Sequence, residues 1–213
     1  MVKAVIWLES AMRERDRAIA SLQGSLSACA NSIEVIEVDA RSEFAALNRV
    51  EKIENVVYCP LTLNVPDDLD FPARELYCAC RDVAGTRRWV ETKLDYRTGE
   101  GNLWLPVALT AKGPLYGEAI AKEANTYRQP LHLSDSHRQP LYHLAYTLLE
   151  GLGASPAVYL LQFSQQGPEI LFDRLYPFPA EPAIASLGVQ QPDLFACHGL
   201  CLTGQPLLDL IIV

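Results

Sequence analysis

The chain has 213 residues, 49% of them hydrophobic, and its 18 basic and 26 acidic side chains give a formal net charge of −8. That balance opposes nucleic acid and anionic membrane as partners, since contacts to phosphate supply much of the affinity for either. No apolar run approaches the roughly 20 residues of a membrane helix, and a chain of this length can bury roughly 70–75% of its extended surface.

Residues 2–10 (VKAVIWLES) open with an apolar run that reaches Glu9 too soon for a signal-peptide core, so they read as a core strand. The expected location is the cytoplasm, where the six cysteines would be reduced. A helix follows over 11–29, with Ser10 as its cap and Met12, Ile19, Leu22, Leu26 and Cys29 on one stripe. Residues 33–40 (IEVIEVDA) and 56–59 (VVYC) repeat the strand pattern, and a second helix at about 43–52, capped by Ser42, lies between them. Three β-rich runs separated by helices predict a βαβαβ parallel sheet of Rossmann-like type.

Residues 61–72 carry two prolines and three acids and read as a surface connection. Beyond them, 89–96 and 103–109 alternate around the turn RTGEGN, which predicts a β-hairpin. Residues 75–81 read as a further strand of that meander, with a helix over 72–83 as the alternative. Arg87, Arg88, Lys93 and Arg97, interleaved with Glu91 and Asp95, read as a solvated face of the hairpin. A helix is expected across Tyr116, Ile120, Glu123, Ala124 and Tyr127, and a short strand over 130–134. A leucine-striped helix follows over 140–152, ended by Gly151 and Gly153. Residues 157–163 and 170–175 flank the turn SQQGPE of a second hairpin, and the chain closes on the apolar segment 206–213 (PLLDLIIV).

The expected architecture is one α/β domain over 1–213, its parallel sheet extended by antiparallel hairpins with helices on both faces. The alternative divides it into a Rossmann-like unit over 1–62 and an α+β unit over 73–213. In open parallel sheets, ligands bind beyond the carboxyl ends of the strands. If the strands at 2–8, 33–38 and 130–134 are parallel, one rim gathers Glu9, Ser10 and Arg13, then Asp39 and Arg41, then Asp135, Ser136 and His137. Helix N-termini at such a rim suit a small anion, and they equally explain Ser10 and Ser136 as ordinary helix-start residues. No Gly-x-Gly-x-x-Gly loop follows the first strand and no Gly-Lys-Ser/Thr loop occurs, so no cofactor is expected.

Asp135 and His137 are the candidates for acid–base or nucleophilic chemistry, without a Gly-x-Ser-x-Gly elbow to support them. Cys78, Cys80, Cys197 and Cys201 are the candidate zinc ligands, although their spacing departs from Cys-x2-Cys and buried thiols usually serve packing. The reading these observations support is a cytosolic, non-catalytic binding or assembly module that recognises a protein partner or a small anionic ligand. The alternatives are a small transferase or hydrolase using Asp135 and His137, and a zinc-stabilised structural protein. The apolar C-terminal segment must be buried, either within the chain or against a second copy in a homodimer.

Overall fold

The computed structural model describes residues 2–9, 12–38, 56–66 and 69–213. Strand β1 (Lys3–Glu9) lies between β2 (Ser32–Val38) and β3 (Val56–Leu61), all three parallel. Ala4, Val5, Ile6, Trp7 and Leu8 are all buried, as the central strand of a parallel sheet covered on both faces requires. Helix α1 (Arg15–Leu26) packs through Ala18, Leu22 and Leu26, one residue per turn; Cys29 is exposed and off that stripe. The helix starts behind Glu14, at φ 50°, rather than at Ser10. Ser10 and the expected helix over 43–52 lie outside the described residues.

The next three expectations need correcting. Residues 75–81 are helical, as α2 (Arg74–Arg81), with Leu76 and Cys80 one turn apart on its buried side. The supposed hairpin strand is α3 (Val83–Leu94), capped by the Asp82 carboxylate, which accepts from the Gly85 N–H at 2.9 Å, and buried through Thr86 and Val90. The stretch 61–72 is not merely a surface connection, since Leu61, Val65 and Phe71 are buried.

A second sheet, of six strands, carries the rest. β4 (Leu103–Thr110) pairs antiparallel with β5 (Gly113–Tyr116), β6 (Ala119–Glu123) and β8 (Ala157–Gln166). β7 (Thr126–Leu131) pairs with β6, and β9 (Glu169–Tyr176) with β8. The helix expected across 116–127 is therefore strand and turn: Ile120 belongs to one core and its neighbour Ala119 to the other, which is a two-residue period. The leucine-striped helix is present as α4 (Asp135–Gly151), starting five residues early, with Leu141, Leu144 and Leu148 buried. The second hairpin, β8–β9, also forms.

The six-stranded sheet has a core on each face. On one face Leu105, Val107, Leu161 and Phe163 meet α4 and α3; on the other Trp104, Ala108, Val158 and Leu160 meet β1, α1 and α5 (Leu194–Leu202). The parallel and antiparallel strands thus form two distinct sheets that share a core, not one sheet extended by hairpins. At the C-terminus β11 (Ile211–Ile212) pairs antiparallel with β10 (Gln190–Gln191), and Leu208 stays 81% exposed rather than buried. Among the described residues, no helix is long and apolar enough to cross a membrane.

Candidate functional site

The carboxyl ends of β1 and β3 open onto the inner face of the six-stranded sheet, and between them lies a cleft of about 560 Å³. The parallel sheet contributes Glu9, at the end of β1, and Thr62, just past β3. Thr62 Oγ1 donates to Glu9 Oε1 at 2.8 Å and Asn64 Nδ2 donates to the same oxygen at 3.3 Å. One carboxylate oxygen is thereby fixed in the mouth of the cleft.

The opposite wall supplies cations and donors. Lys122 lies on β6, one residue before its end, and Arg174 on β9 is anchored through Nε to Asp173 Oδ1 at 3.3 Å. Two cations on one wall suit a phosphate group, arginine by its planar fork and lysine as a point charge. Gln162 holds the floor, its Nε2 donating to the Gly101 carbonyl and its Oε1 accepting from the Tyr176 hydroxyl at 3.4 Å. Tyr127 donates to Glu181 Oε2 at 3.3 Å; burial, then the Glu181 charge, pushes its pKa up to about 12. Burial likewise raises the Tyr176 hydroxyl above its ordinary value, so both phenols remain protonated donors at neutral pH. Trp104, edge-on to Tyr127 at 5.4 Å, also lines the cleft, and its buried indole N–H has no partner among the described residues.

Of the residues singled out in the sequence, the structure places Glu9 in this cleft. Arg13 sits at its edge, where its guanidinium reaches the Asn125 carbonyl and lies 3.5 Å from Glu181. Ser10, Asp39 and Arg41 lie outside the described residues. Asp135, Ser136 and His137 do not join them, because β7 belongs to the antiparallel sheet and α4 covers that sheet's other face. There His137 bridges Ser134 Oγ (2.7 Å) and the Gly167 carbonyl (3.0 Å), while Ser136 meets the same Ser134 hydroxyl and Asp135 is 89% exposed beside Arg138.

The cysteines do not converge either. Cys78 is exposed, Cys80 belongs to the core under α4, and Cys197 and Cys201 belong to the core shared by the two sheets. Burial raises the Cys80 and Cys201 thiols to about 12, which favours the protonated, non-ligating form. Among the described residues, no group of three or more His, Cys, Asp or Glu side chains could hold a metal ion. The cleft residues that sequence reasoning missed are Lys122, Tyr127, Gln162, Arg174 and Glu181, none of which stands in a local motif.

A parallel three-stranded unit faces a larger antiparallel sheet, with a polar cleft between them, which is not a plain Rossmann arrangement. No protein-family model and no curated protein matches the sequence. Among solved structures, the chain is similar to a glycinamide-RNase-transformylase T from Mycobacterium tuberculosis (TM-score 0.72, 19% identity, 99% of this chain and 82% of that one). It is also similar to an N5-carboxyaminoimidazole synthetase from Staphylococcus aureus complexed with ADP (TM-score 0.72, 10% identity, 99% and 80%). A third is an N5-carboxyaminoimidazole synthase from Aspergillus clavatus in complex with ADP and 5-aminoimidazole ribonucleotide (TM-score 0.64, 10% identity, 97% and 78%). The likeness is one of fold. It overturns the expectation of a Rossmann-like, non-catalytic binding or assembly module: that reading rested on missing local signatures, and the fold is instead that of synthetases and a transformylase.

Proposed function

We propose that the chain is an ATP-dependent enzyme of ligase or transferase type, working in the cleft between its two sheets. The observation that carries this is the opposition of charge across the cleft: Lys122 and Arg174 on one wall, and Glu9 held by Thr62 and Asn64 on the other. The phosphates of the nucleotide meet the two cations. Glu9 faces the acceptor substrate and orients its amine or hydroxyl for attack on the activated group. The volume suits this, since ligand clefts run from roughly 300 to 1,000 Å³. The acceptor is a small phosphorylated ribose compound, by analogy with the ribonucleotide held by one structural neighbour.

The test is turnover: ADP release from ATP in the presence of 5-aminoimidazole ribonucleotide and bicarbonate, for the wild type and Glu9→Gln. The wild type should release ADP in an acceptor-dependent manner and Glu9→Gln should lose roughly 10²-fold or more, as for removal of a positioned acid–base group. ADP release that ignores the acceptor, or is unchanged in Glu9→Gln, would refute the roles given to the cleft.

A further inference from the structure

The sheet wall of the cleft is a row of side chains that runs across four strands. Trp104 on β4 lies opposite Gln162 on β8, and Gln162 lies opposite Arg174 on β9. On the other side Trp104 lies opposite Ile120 of β6, and Lys122, two residues on, shares that face. The β8–β9 register shifts between Gln162 and Phe163, a bulge that leaves Asp173 as the extra residue of β9. Before the bulge Phe172 packs in the core under α4; past it, Arg174 lines the cleft. The Asp173 carboxylate is spent elsewhere: Oδ1 pairs with Arg87 of α3 and Oδ2 accepts from the Gly101 N–H at 2.8 Å. Glu123, the acid beside Lys122, is likewise paired with Arg128, at 2.6 Å.

A divalent cation that bridges the phosphates of ATP is usually held to its protein by one or two carboxylates beside those phosphates. This wall does not fit one. Among the described residues it presents Lys122, Arg174, an amide and aromatic rings, and no carboxylate. The amide oxygen of Gln162 already accepts from the Tyr176 hydroxyl at 3.4 Å. The acids that line the cleft do not stand there either. Glu9 belongs to the opposite wall, and Glu181 has Oε2 taken by Tyr127 and Oε1 3.5 Å from Arg13.

We infer that the cleft takes ATP as the free polyanion, with Lys122 and Arg174 supplying the neutralising charge that a bridging metal ion supplies elsewhere. The inference rests on the nucleotide reading of the cleft and adds the form in which the nucleotide binds. Two fixed cations favour the free form because it carries more negative charge than its magnesium complex. It also leaves its phosphate oxygens open to the guanidinium fork and the ammonium.

Calorimetric titration of ATP into the full chain tests this at matched ionic strength, in EDTA and again with magnesium at roughly 100 times its dissociation constant from ATP. Magnesium then leaves about one nucleotide in a hundred free, so the apparent affinity should fall about 100-fold. The exchange-inert chromium(III) complex of ATP, which cannot shed its metal, should fail to displace free ATP. Arg174→Gln should bind free ATP about tenfold more weakly in EDTA, and unchanged affinity would overturn the assignment to this wall. A fall with magnesium of less than about tenfold, or displacement by the chromium complex, would overturn the inference and leave the nucleotide reading intact. Binding in neither buffer would remove both. The comparison on the wild type stands even if the variant fails to fold.

Discussion

The Asp173 carboxylate, 2% exposed on β9, ties three segments together. It pairs with the Arg87 guanidinium of α3 and accepts from the Gly101 N–H at 2.8 Å, and Arg87 Nε also donates to the Asp173 carbonyl at 3.0 Å. Arg87 therefore does not belong to a solvated basic face; it turns inward to neutralise a buried acid that the sequence alone did not pair with it. Removing one member of a buried ion pair leaves the other without its counter-charge. Asp173→Ala should lower the free energy of unfolding by about 3 kcal/mol, measured by urea denaturation. His198 gives a second prediction with a defined sign. The folded protein keeps it neutral down to about pH 3, because burial disfavours the charged ring, whereas the unfolded chain protonates it near its ordinary 6.5. Between those values the unfolded state binds a proton that the folded state refuses, so this contribution is lost as pH falls below about 6.5. The slope is roughly 1 kcal/mol per pH unit, and His198→Asn should flatten it in denaturation curves taken between pH 7 and 5.

At the scale of elements, the long periodic segments were legible and the short ones were not. β1 and α4 carry five buried residues each and were readable from their apolar runs. α2 has only eight residues, and Leu76, Cys78 and Cys80 fit a two-residue period as well as Leu76 and Cys80 fit a helical turn. β5, β6 and β7 present Tyr116, Ile120 and Tyr127 at spacings that also suit a helix, and only the pairing of these strands with β4 and with one another decides the matter. The contact between α1 and α5 is equally invisible in sequence, since its key is a residue with no side chain. A Cβ on Gly199 would lie 2.0 Å from Ser25 Oγ and 3.2 Å from a methyl of Leu22, so glycine lets the two helices approach. Gly199→Ala should force them apart and lose about 1–3 kcal/mol. For a chain of this size each kcal/mol moves the thermal midpoint by roughly 2–4 °C, so a calorimetric scan resolves it.

For the whole molecule, the site is a product of topology. Glu9, Thr62, Lys122, Gln162, Arg174 and Glu181 meet in one cleft although they span most of the chain. No two of them are close enough in sequence to form a motif, which explains why a search for local signatures found none and led away from catalysis. The rule that ligands gather beyond the carboxyl ends of parallel strands did point to Glu9. It could not supply the opposing wall, because that wall is a second, antiparallel sheet whose strand order is set by long-range pairing. Asp135 and His137 were grouped with Glu9 only on the premise that the strand before them was parallel; the observed β7 is antiparallel and its helix covers the far face. The proposed binding of ATP in this cleft through Lys122 and Arg174 is tested most directly by isothermal titration of ATP into the wild type, Lys122→Ala and Arg174→Ala. The wild type should bind ATP at one site, with each variant weakened about tenfold or more, in keeping with loss of a charge-assisted contact to phosphate. A wild type that binds no ATP, or variants that bind it as tightly as the wild type, would contradict the claim.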